Sequence, residues 1–274
     1  MIRRRALLAV PLALPAWTGR AADAKSSGPA NGTLLIVGGG DNSAAVIAAA
    51  QRHAGGAGAR WIVIPTAQSD QNLSAKSKVP RFIAEHGAFT TLHARDPAVA
   101  NSEAFVAPMT TATAVWIEGG RQWRLADTYG GTRTEQALHE LLARGGLVAG
   151  SSAGASIMGS YLVRGAPSGR EVLMSPGHER GFGFLRNVAI DQHIGARRRE
   201  ADLARLVAVH PEILGIGIDE GTAILVQRNV FTVVGPGIVA ITDGATHDGR
   251  PYYVLRQGAR FNLATWSVLP GSPG

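Results

Sequence analysis

The serine at position 152 is the first candidate for chemistry in this sequence. It lies in the segment 150–154, Gly-Ser-Ser-Ala-Gly, which matches G-x-S-x-G, the pattern of a serine nucleophile on a sharp strand-to-helix turn. On such a turn glycines let strand and helix approach closely, and the N–H of Ala153 opens a helix and can donate to an oxyanion. A tight connection or a phosphate cradle can have the same composition. The catalytic interpretation therefore depends on partners elsewhere in the chain.

A serine nucleophile needs a histidine that accepts its proton and a carboxylate that orients this histidine. Of the eight histidines, only His193 directly follows an apolar strand pattern and has polar neighbours. The histidines include no i, i+4 pair, and the carboxylates do not cluster, so we expect no metal centre. We also expect no cofactor.

The elements that must position these residues alternate between strand and helix over residues 33–160. Apolar strand runs at 33–37, 60–65, 89–93, 113–117 and 144–149 alternate with helical patterns at 43–50, 79–86, 102–106 and 134–143. This order predicts an α/β fold with a mostly parallel sheet and helices on both faces. Sites in such sheets form at the carboxyl ends of the strands, where 38–42, 119–122 and 151–153 should converge.

The remaining segments are assigned from composition and spacing. We predict polar or exposed loops at 66–78 and 165–184, and Thr134 as the N-cap of its helix. A helix is predicted over 197–208, with arginines in its first turns. Strands are predicted at 187–190, 213–218, 222–226, 230–234, 239–242 and 252–255, which makes the C-terminal third a β-rich extension. The glycines at 38–40 resemble a dinucleotide fingerprint, but Ser43 occupies the place of the third glycine, so we expect only a tight turn.

Residues 1–24 have the composition of a secretory signal peptide. A basic region with Arg3, Arg4 and Arg5 is followed by an apolar stretch at 6–17 that is too short to span a bilayer, and then by an A-x-A cleavage site at 22–24. The arginines also resemble a twin-arginine signal, so the pattern does not distinguish the two export routes. We predict an exported protein, periplasmic or secreted, with no membrane anchor once the signal is removed.

The mature chain is expected to be one domain, residues 33–274, behind a flexible leader at 25–32. With 274 residues and 45% hydrophobic composition, the chain can bury a sizeable core. The net charge is +7, but residues 1–24 contribute four arginines and one aspartate, which leaves about +4. This excess does not imply nucleic-acid binding. The absence of cysteine excludes disulfides, a cysteine nucleophile and cysteine metal ligands.

Four motifs together resemble those of one family. They are Gly-Gly-Arg-Gln at 119–122, Gly-Ser-Ser-Ala-Gly-Ala at 150–155, Asp-Gln-His at 191–193 with arginines at 197 and 199, and Gly-Ile-Gly-Ile-Asp-Glu-Gly-Thr-Ala at 215–223. Their types and order resemble the cyanophycinase family of serine peptidases. These are relatives of aspartyl dipeptidase on a class I glutamine amidotransferase-like (flavodoxin-like) scaffold. The resemblance covers roughly residues 33–245 and suggests a homodimer.

The resemblance assigns roles to individual residues. It implies that Ser152 is the nucleophile and His193 the general base. Glu220 is the expected third member because it ends a strand pattern, and Glu171, in the predicted loop, is the alternative. The N–H groups of Ala153 and Gly120 would form the oxyanion hole. The expected substrate-pocket residues are Gln122, Asp191, Gln192, Arg197 and Arg199.

The resemblance also implies a peptide substrate with aspartyl groups. Cyanophycin, the family's best-known substrate, is a polyaspartate with arginine on each side-chain carboxylate, and it is cut to β-Asp-Arg dipeptides. Arginines suit its free carboxylates because they bind carboxylates bidentately. One departure makes cyanophycin itself a less secure substrate. Cyanophycinases carry a further arginine three positions after the second one, where this chain has Asp202.

Two other functions compete with this interpretation. An α/β-hydrolase esterase shares G-x-S-x-G, but its triad follows the order Ser, Asp/Glu, His, and it needs an HGGG-type segment that this chain lacks. A non-catalytic amidotransferase-like binding module would not need Ser152, His193 and Glu220 together.

Overall fold

Strands in two sheets organise the computed structural model, which describes residues 25–75 and 79–271. The strands are β1 (Thr33–Val37), β2 (Arg60–Ile64), β3 (Ala88–Thr91), β4 (Ala114–Ile117), β5 (Leu147–Ser151), β6 (Gly159–Tyr161), β7 (Leu185–Gln192), β8 (Leu214–Ile218), β9 (Ala223–Gln227), β10 (Val230–Val234), β11 (Val239–Thr242), β12 (Tyr253–Leu255), β13 (Arg260–Asn262) and β14 (Ser267–Val268). The predicted signal peptide lies outside the described residues.

Short and medium helices connect the strands. They are α1 (Ala44–Ala54), α2 (Asp70–Ala75), α3 (Arg81–His86), α4 (Pro97–Ala100), α5 (Glu103–Val106), α6 (Gln122–Tyr129), α7 (Arg133–Ala143), α8 (Ala153–Ser156), α9 (Ile194–Arg197) and α10 (Leu203–Val209), with 3-10 turns at Gly56–Gly58 and Ala107–Thr110. Within the described ranges, no helix is long and apolar enough to cross a membrane.

The larger sheet has nine strands in the order β14-β13-β10-β9-β1-β5-β4-β2-β3. Its strands β1, β5, β4, β2 and β3 are parallel, while β9, β10, β13 and β14 continue it in antiparallel fashion. The parallel part is what the alternation of strand and helix predicts. The fold class is confirmed, including the β-rich C-terminal extension.

Both faces of the larger sheet are buried at its centre, in β1, β4 and β5. In β1, Leu35 and Val37 pack with α1 and with Phe82 on one face. Leu34 and Ile36 point to the opposite face, where α7 and the second sheet cover them. This alternation follows from the two-residue period of a strand, and burial on both faces explains the unbroken apolar runs.

A second sheet of five strands, in the order β12-β11-β8-β7-β6, was not foreseen in the sequence. Its strands β7 and β8 are parallel neighbours and end just before His193 and Asp219. The carboxyl ends of β5, in the first sheet, and of β7 and β8, in the second, therefore meet at one site. Apolar runs reveal buried strands, but they do not reveal which of two sheets a strand joins.

Three local predictions are wrong. The loop expected at 66–78 contains α2, since Ser69 Oγ accepts from the N–H of Asn72 at 3.3 Å near the helix start. The N-cap of α7 is Thr132, whereas Thr134 lies inside the helix. The helix expected over 197–208 is interrupted, because Arg198 adopts a left-handed conformation (φ 55°) that ends α9.

The expected flexible leader at 25–32 is instead attached to the fold. Ser26 is buried, and its hydroxyl donates to the carbonyl of Asn187 at 2.9 Å. Ser27 forms an antiparallel bridge with Arg186. The segment 165–184 is only partly the exposed loop expected from its glycines and prolines, because Leu173 and Phe182 are buried.

Candidate active site

Ser152 occupies a strained turn between β5 and α8. Its backbone angles are φ 55° and ψ −111°, in a region that a serine adopts only when the surrounding structure enforces it. Two glycines make the turn possible: a Cβ on Gly150 would lie 2.5 Å from the carbonyl oxygen of Gly154, and one on Gly154 would lie 2.2 Å from that of Ile117. The close approach of strand and helix predicted from G-x-S-x-G is therefore present.

His193 and Glu220 form a hydrogen-bonded chain with this serine. His193 Nε2 lies 2.9 Å from Ser152 Oγ, and His193 Nδ1 lies 2.5 Å from Glu220 Oε1. When Nδ1 carries its proton toward the carboxylate, Nε2 is free to accept the proton of the serine hydroxyl. The three side chains thus have the geometry of a nucleophile, a general base and an orienting acid.

The glycine loop at 38–40 connects the two segments that carry His193 and Glu220. The carbonyl of Gly38 accepts from the N–H of His193, and that of Gly39 accepts from the N–H of Gly221, both at 2.9 Å. A Cβ on Gly39 would lie 2.2 Å from the imidazole of His193, and one on Gly40 would lie 2.9 Å from the Glu220 carboxylate. The loop is a platform under the imidazole and the carboxylate, so its glycines have a role other than nucleotide binding.

The surroundings of His193 favour its neutral form. Burial lowers the pKa of the imidazole, the hydrogen bond to Glu220 raises it, and the nearby Arg197 lowers it again, with a net shift below the ordinary value of 6.5. A neutral imidazole is the form that can act as a base.

The two segments that carry the predicted oxyanion-hole donors both lie next to the serine. Ala153 follows Ser152 and begins α8, and a Cβ on Gly119 would lie 3.7 Å from Ser152 Oγ. Gly120 has φ 145°, and a Cβ there would lie 2.2 Å from the carbonyl oxygen of Ala67, so only glycine fits. Within the described part of the chain, the N–H groups of Ala153 and Gly120 have no protein acceptor and can bind an oxyanion.

Four of the five residues predicted to line the substrate pocket are buried, namely Gln122, Asp191, Gln192 and Arg199. Asp191 is 0% exposed and receives a bidentate pair from Arg164, with Nε to Oδ1 at 2.9 Å and Nη2 to Oδ2 at 2.8 Å. Gln122 is also buried, and its amide donates to the carbonyl of Val163 at 2.8 Å. The substrate-contact prediction is wrong for Asp191, because a fully buried carboxylate already neutralised by arginine cannot reach a ligand. Gln122 instead binds the backbone of Val163, next to Arg164.

Arg164 was missed in the sequence analysis. Its guanidinium is 1% exposed and also donates through Nη2 to Asp202 Oδ2 at 2.6 Å. Asp202, at the position where the resemblance leads one to expect arginine, therefore serves as a second partner of a buried cation. Nothing in the sequence near Arg164 signals this role, since its partners lie 27 and 38 positions further along.

Arg197 and Arg199 lie near the triad but not where the sequence places them. Arg197 ends α9 and Arg199 precedes α10, so neither opposes the dipole of a helix N-terminus. Arg197 Nη1 approaches Gln192 Oε1 at 3.4 Å, and within the described residues it forms no ion pair with a carboxylate. Burial lowers the pKa of Arg197, and the neighbouring Arg199 and Arg170 lower it further.

Only some of the hydrogen-bond donors of the Arg199 guanidinium have a partner. Its Nη2 donates to both oxygens of Glu171 at 2.9 Å, which lowers the pKa of that carboxyl, while its buried Nη1 has no partner among the described residues. An unpaired guanidinium nitrogen beside the unpaired cation of Arg197 forms a region that attracts an anion. Glu171, 72% exposed, binds Arg199 and not His193, whereas Glu220 binds His193.

Within the residues described, no group of three or more histidine and acidic side chains could hold a metal ion.

Comparisons with known proteins show which family the chain is similar to. A sequence profile of peptidase family S51 matches residues 34–234. The cyanophycinase of Nostoc sp. is 31% identical over 238 residues, which cover 79% of this chain and 80% of that protein. The cyanophycinase of Geminocystis herdmanii is 30% identical over 244 residues, covering 80% of this chain and 88% of that protein. The crystal structure of a peptidase from an acI-B1 Actinobacterium superimposes with a TM-score of 0.67 at 25% identity, covering 85% of this chain and 97% of that one.

Proposed function

The chain belongs to peptidase family S51, and we propose that it is an exopeptidase that hydrolyses cyanophycin or related aspartyl peptides through an acyl-enzyme on Ser152. The observation that carries this proposal is the hydrogen-bonded chain from Ser152 through His193 to Glu220. Family membership makes the protein a serine peptidase. The order Ser, His, Glu along the chain also differs from that of α/β-hydrolase esterases.

The proposed reaction begins when Ser152 Oγ attacks the carbonyl carbon of the scissile bond. His193 Nε2 accepts the hydroxyl proton, and the N–H groups of Ala153 and Gly120 bind the oxyanion of the tetrahedral intermediate. The C–N bond then breaks, and the imidazolium returns the proton to the leaving amine. Water attacks the resulting ester with His193 again as base, which releases the acid and restores the serine.

The proposed substrate class rests on the arginines beside the triad. Arg197 has no carboxylate partner in the described chain, and Arg199 keeps one buried donor unused. Both suit the free carboxylates of an aspartyl peptide. Glu171 holds the other guanidinium nitrogen of Arg199, so a substrate carboxylate can either join it or displace it. The products of cyanophycin would be β-Asp-Arg dipeptides.

Because of Asp202, the proposed substrates include aspartyl peptides other than cyanophycin. The resemblance leads one to expect arginine at this position, and here the acidic side chain pairs with Arg164. The positive charge beside this position is therefore that of Arg164, which lies 38 positions earlier in the chain and is 1% exposed. A change of this kind leaves the triad intact but alters the pocket beside it.

The proposal is tested by incubating the protein with cyanophycin and with a panel of α- and β-aspartyl dipeptides, read by mass spectrometry. In parallel, Ser152→Ala is compared with Ser151→Ala. Loss of a serine nucleophile costs about 10⁶ in kcat in subtilisin, so we expect Ser152→Ala to abolish hydrolysis in a folded protein. The loss in Ser151→Ala should be far smaller. Full activity of folded Ser152→Ala would contradict the proposal, and reversed effects would move the nucleophile to Ser151.

A further inference from the structure

The loop after β2 contacts the glycine segment that carries the proposed oxyanion donor. Gln68, in this loop, donates from Nε2 to the carbonyl oxygen of Gly119 at 2.6 Å. On its other side Gly119 lies against the nucleophile, since a Cβ there would lie 3.1 Å from the Cβ of Ser152. Gln68 does not belong to any of the motifs that resemble the family.

Arginines hold this loop through three consecutive carbonyl groups. Arg95 donates to the carbonyls of Thr66 and Gln68, and its guanidinium is paired with Asp70 at 2.7 Å. The carbonyl of Ala67, between them, accepts from the N–H of Arg121 at 2.8 Å and from Arg124 Nη1 at 3.0 Å. A loop held at three consecutive carbonyls presents the Gln68 side chain from a fixed position.

The peptide between Gly119 and Gly120 needs such support because it joins two glycines. Glycine has little intrinsic preference for one backbone conformation, so a diglycine peptide can rotate at small cost. Every peptide in the described chain is trans, and the C=O and N–H of a trans peptide point in opposite directions. A hydrogen bond that holds the carbonyl of Gly119 on Gln68 therefore also determines where the N–H of Gly120 points.

We propose that Gln68 is a positioning residue of the oxyanion hole, which aims the N–H of Gly120 by binding the carbonyl of the same peptide. This inference rests on the proposed function and adds to it a residue that contacts neither substrate nor nucleophile. Asn72, on α2, adds a further hydrogen bond to this series by donating from Nδ2 to Gln68 Oε1 at 3.3 Å. Hydrogen bonds in series polarise one another, so the relay also strengthens the N–H of Gly120 as a donor.

The test uses Gln68→Glu and Gln68→Ala in the full chain. Glutamate keeps the size of glutamine but cannot donate to Gly119 when ionised, which separates the hydrogen bond from packing. Removal of an oxyanion-hole donor costs about 10²–10³ in kcat, so misdirecting one donor should lower kcat by about tenfold to a hundredfold. KM and the affinity for product dipeptide should change little. Affinity for a peptidyl trifluoromethyl ketone, which forms an oxyanion, should fall in parallel with kcat/KM.

The matched control is Gln136→Ala, which removes an exposed amide that bonds to Glu140 within α7. It should leave kcat, KM, the affinity for product dipeptide and the affinity for the trifluoromethyl ketone unchanged. Values of kcat in both Gln68 variants within twofold of the parent would overturn the inference. It would also be overturned if product affinity fell as much as affinity for the ketone, which would indicate a general loss of structure.

Fluorophosphonate labelling of Ser152 distinguishes failure of this inference from failure of the proposed function. Labelling at Ser152 in the parent shows a working nucleophile whatever the natural substrate is. Slower labelling in Gln68→Glu supports the positioning role, because phosphonylation also develops charge on an oxygen. Equal labelling rates overturn the positioning role alone. A parent that is not labelled at Ser152 overturns the proposed function and the positioning role with it.

Discussion

The triad side of the site and its arginine side are built from different kinds of contact. On the triad side, backbone hydrogen bonds from the loop at 38–40 reach the segments of His193 and Glu220, and glycines let the chains touch. On the arginine side, long side chains pair with one another: Arg164 with Asp191 and Asp202, and Arg199 with Glu171. Backbone contacts define the reaction geometry tightly, whereas the pair of Arg199 with the exposed Glu171 can exchange partners when a ligand arrives.

Glu220 on the triad side and Glu171 on the arginine side should differ most in their effect on activity. We expect His193→Ala to lower kcat by about 10⁶ and Glu220→Gln by about 10⁴, as for the base and the acid of subtilisin. Glu171→Gln should stay within about tenfold of the parent, because its carboxylate binds Arg199 and not the imidazole. The measurement is kcat for the three variants under one set of conditions. A severe loss in Glu171→Gln beside a nearly normal Glu220→Gln would transfer the orienting role to Glu171.

The buried pair of Arg164 and Asp191 should matter for stability more than any other pair on the arginine side. Arg164→Met leaves a carboxylate with 0% exposure uncompensated, and we expect the free energy of unfolding to fall by about 3–5 kcal/mol. Chemical denaturation followed by circular dichroism measures this loss.

The control for this prediction is Arg170→Met. Its pair with Glu171 is exposed, so the change in the free energy of unfolding should not exceed about 1 kcal/mol. Adding Asp191→Asn to Arg164→Met should recover much of the loss, because it removes the unpaired charge. Equal stability of the two arginine variants would show that the buried pair is not a structural requirement.

A smaller effect is expected from the arginines proposed to bind substrate. A charge-assisted hydrogen bond contributes about 1.5–3 kcal/mol, so Arg197→Ala and Arg199→Ala should each lower kcat/KM by about tenfold to a hundredfold. Substrates with the carboxylate amidated should be poor for the parent and little affected by the substitutions. The measurement is a double-mutant cycle between each arginine and the substrate carboxylate. Strict additivity in both cycles would remove the support for carboxylate binding.

The smallest expected effect is a shift in pH dependence. Only neutral His193 acts as a base, so kcat/KM should rise with pH through the pKa of His193, with the midpoint of this acid limb below 6.5. Arg197 lowers this pKa, so Arg197→Gln should raise it and move the limb to higher pH. Arg170→Gln should leave the limb in place. A limb that moves to lower pH in Arg197→Gln would contradict the electrostatic account.

The fold class could be read from the sequence because each parallel strand is an apolar run that ends in polar or glycine residues. For the same reason, the segments at 38–42, 119–122 and 151–153 could be placed at one edge of a sheet. The assignment of β7 and β8 to a second sheet could not be made, since runs buried on both faces look alike in either sheet. The break at Arg198 carried no glycine signal, and the helix predicted there was too long.

What the sequence determined by itself was the local geometry of the nucleophile, because Gly150, Ser152 and Gly154 encode a strained turn within five positions. Only the tertiary structure decided how the charged side chains pair. The partners of Asp191, Arg199 and Gly119 lie 27, 28 and 51 positions away, and long side chains can reach several alternatives. Burial removes water as a competing partner and so selects one pairing, and burial arises only when the two sheets have come together.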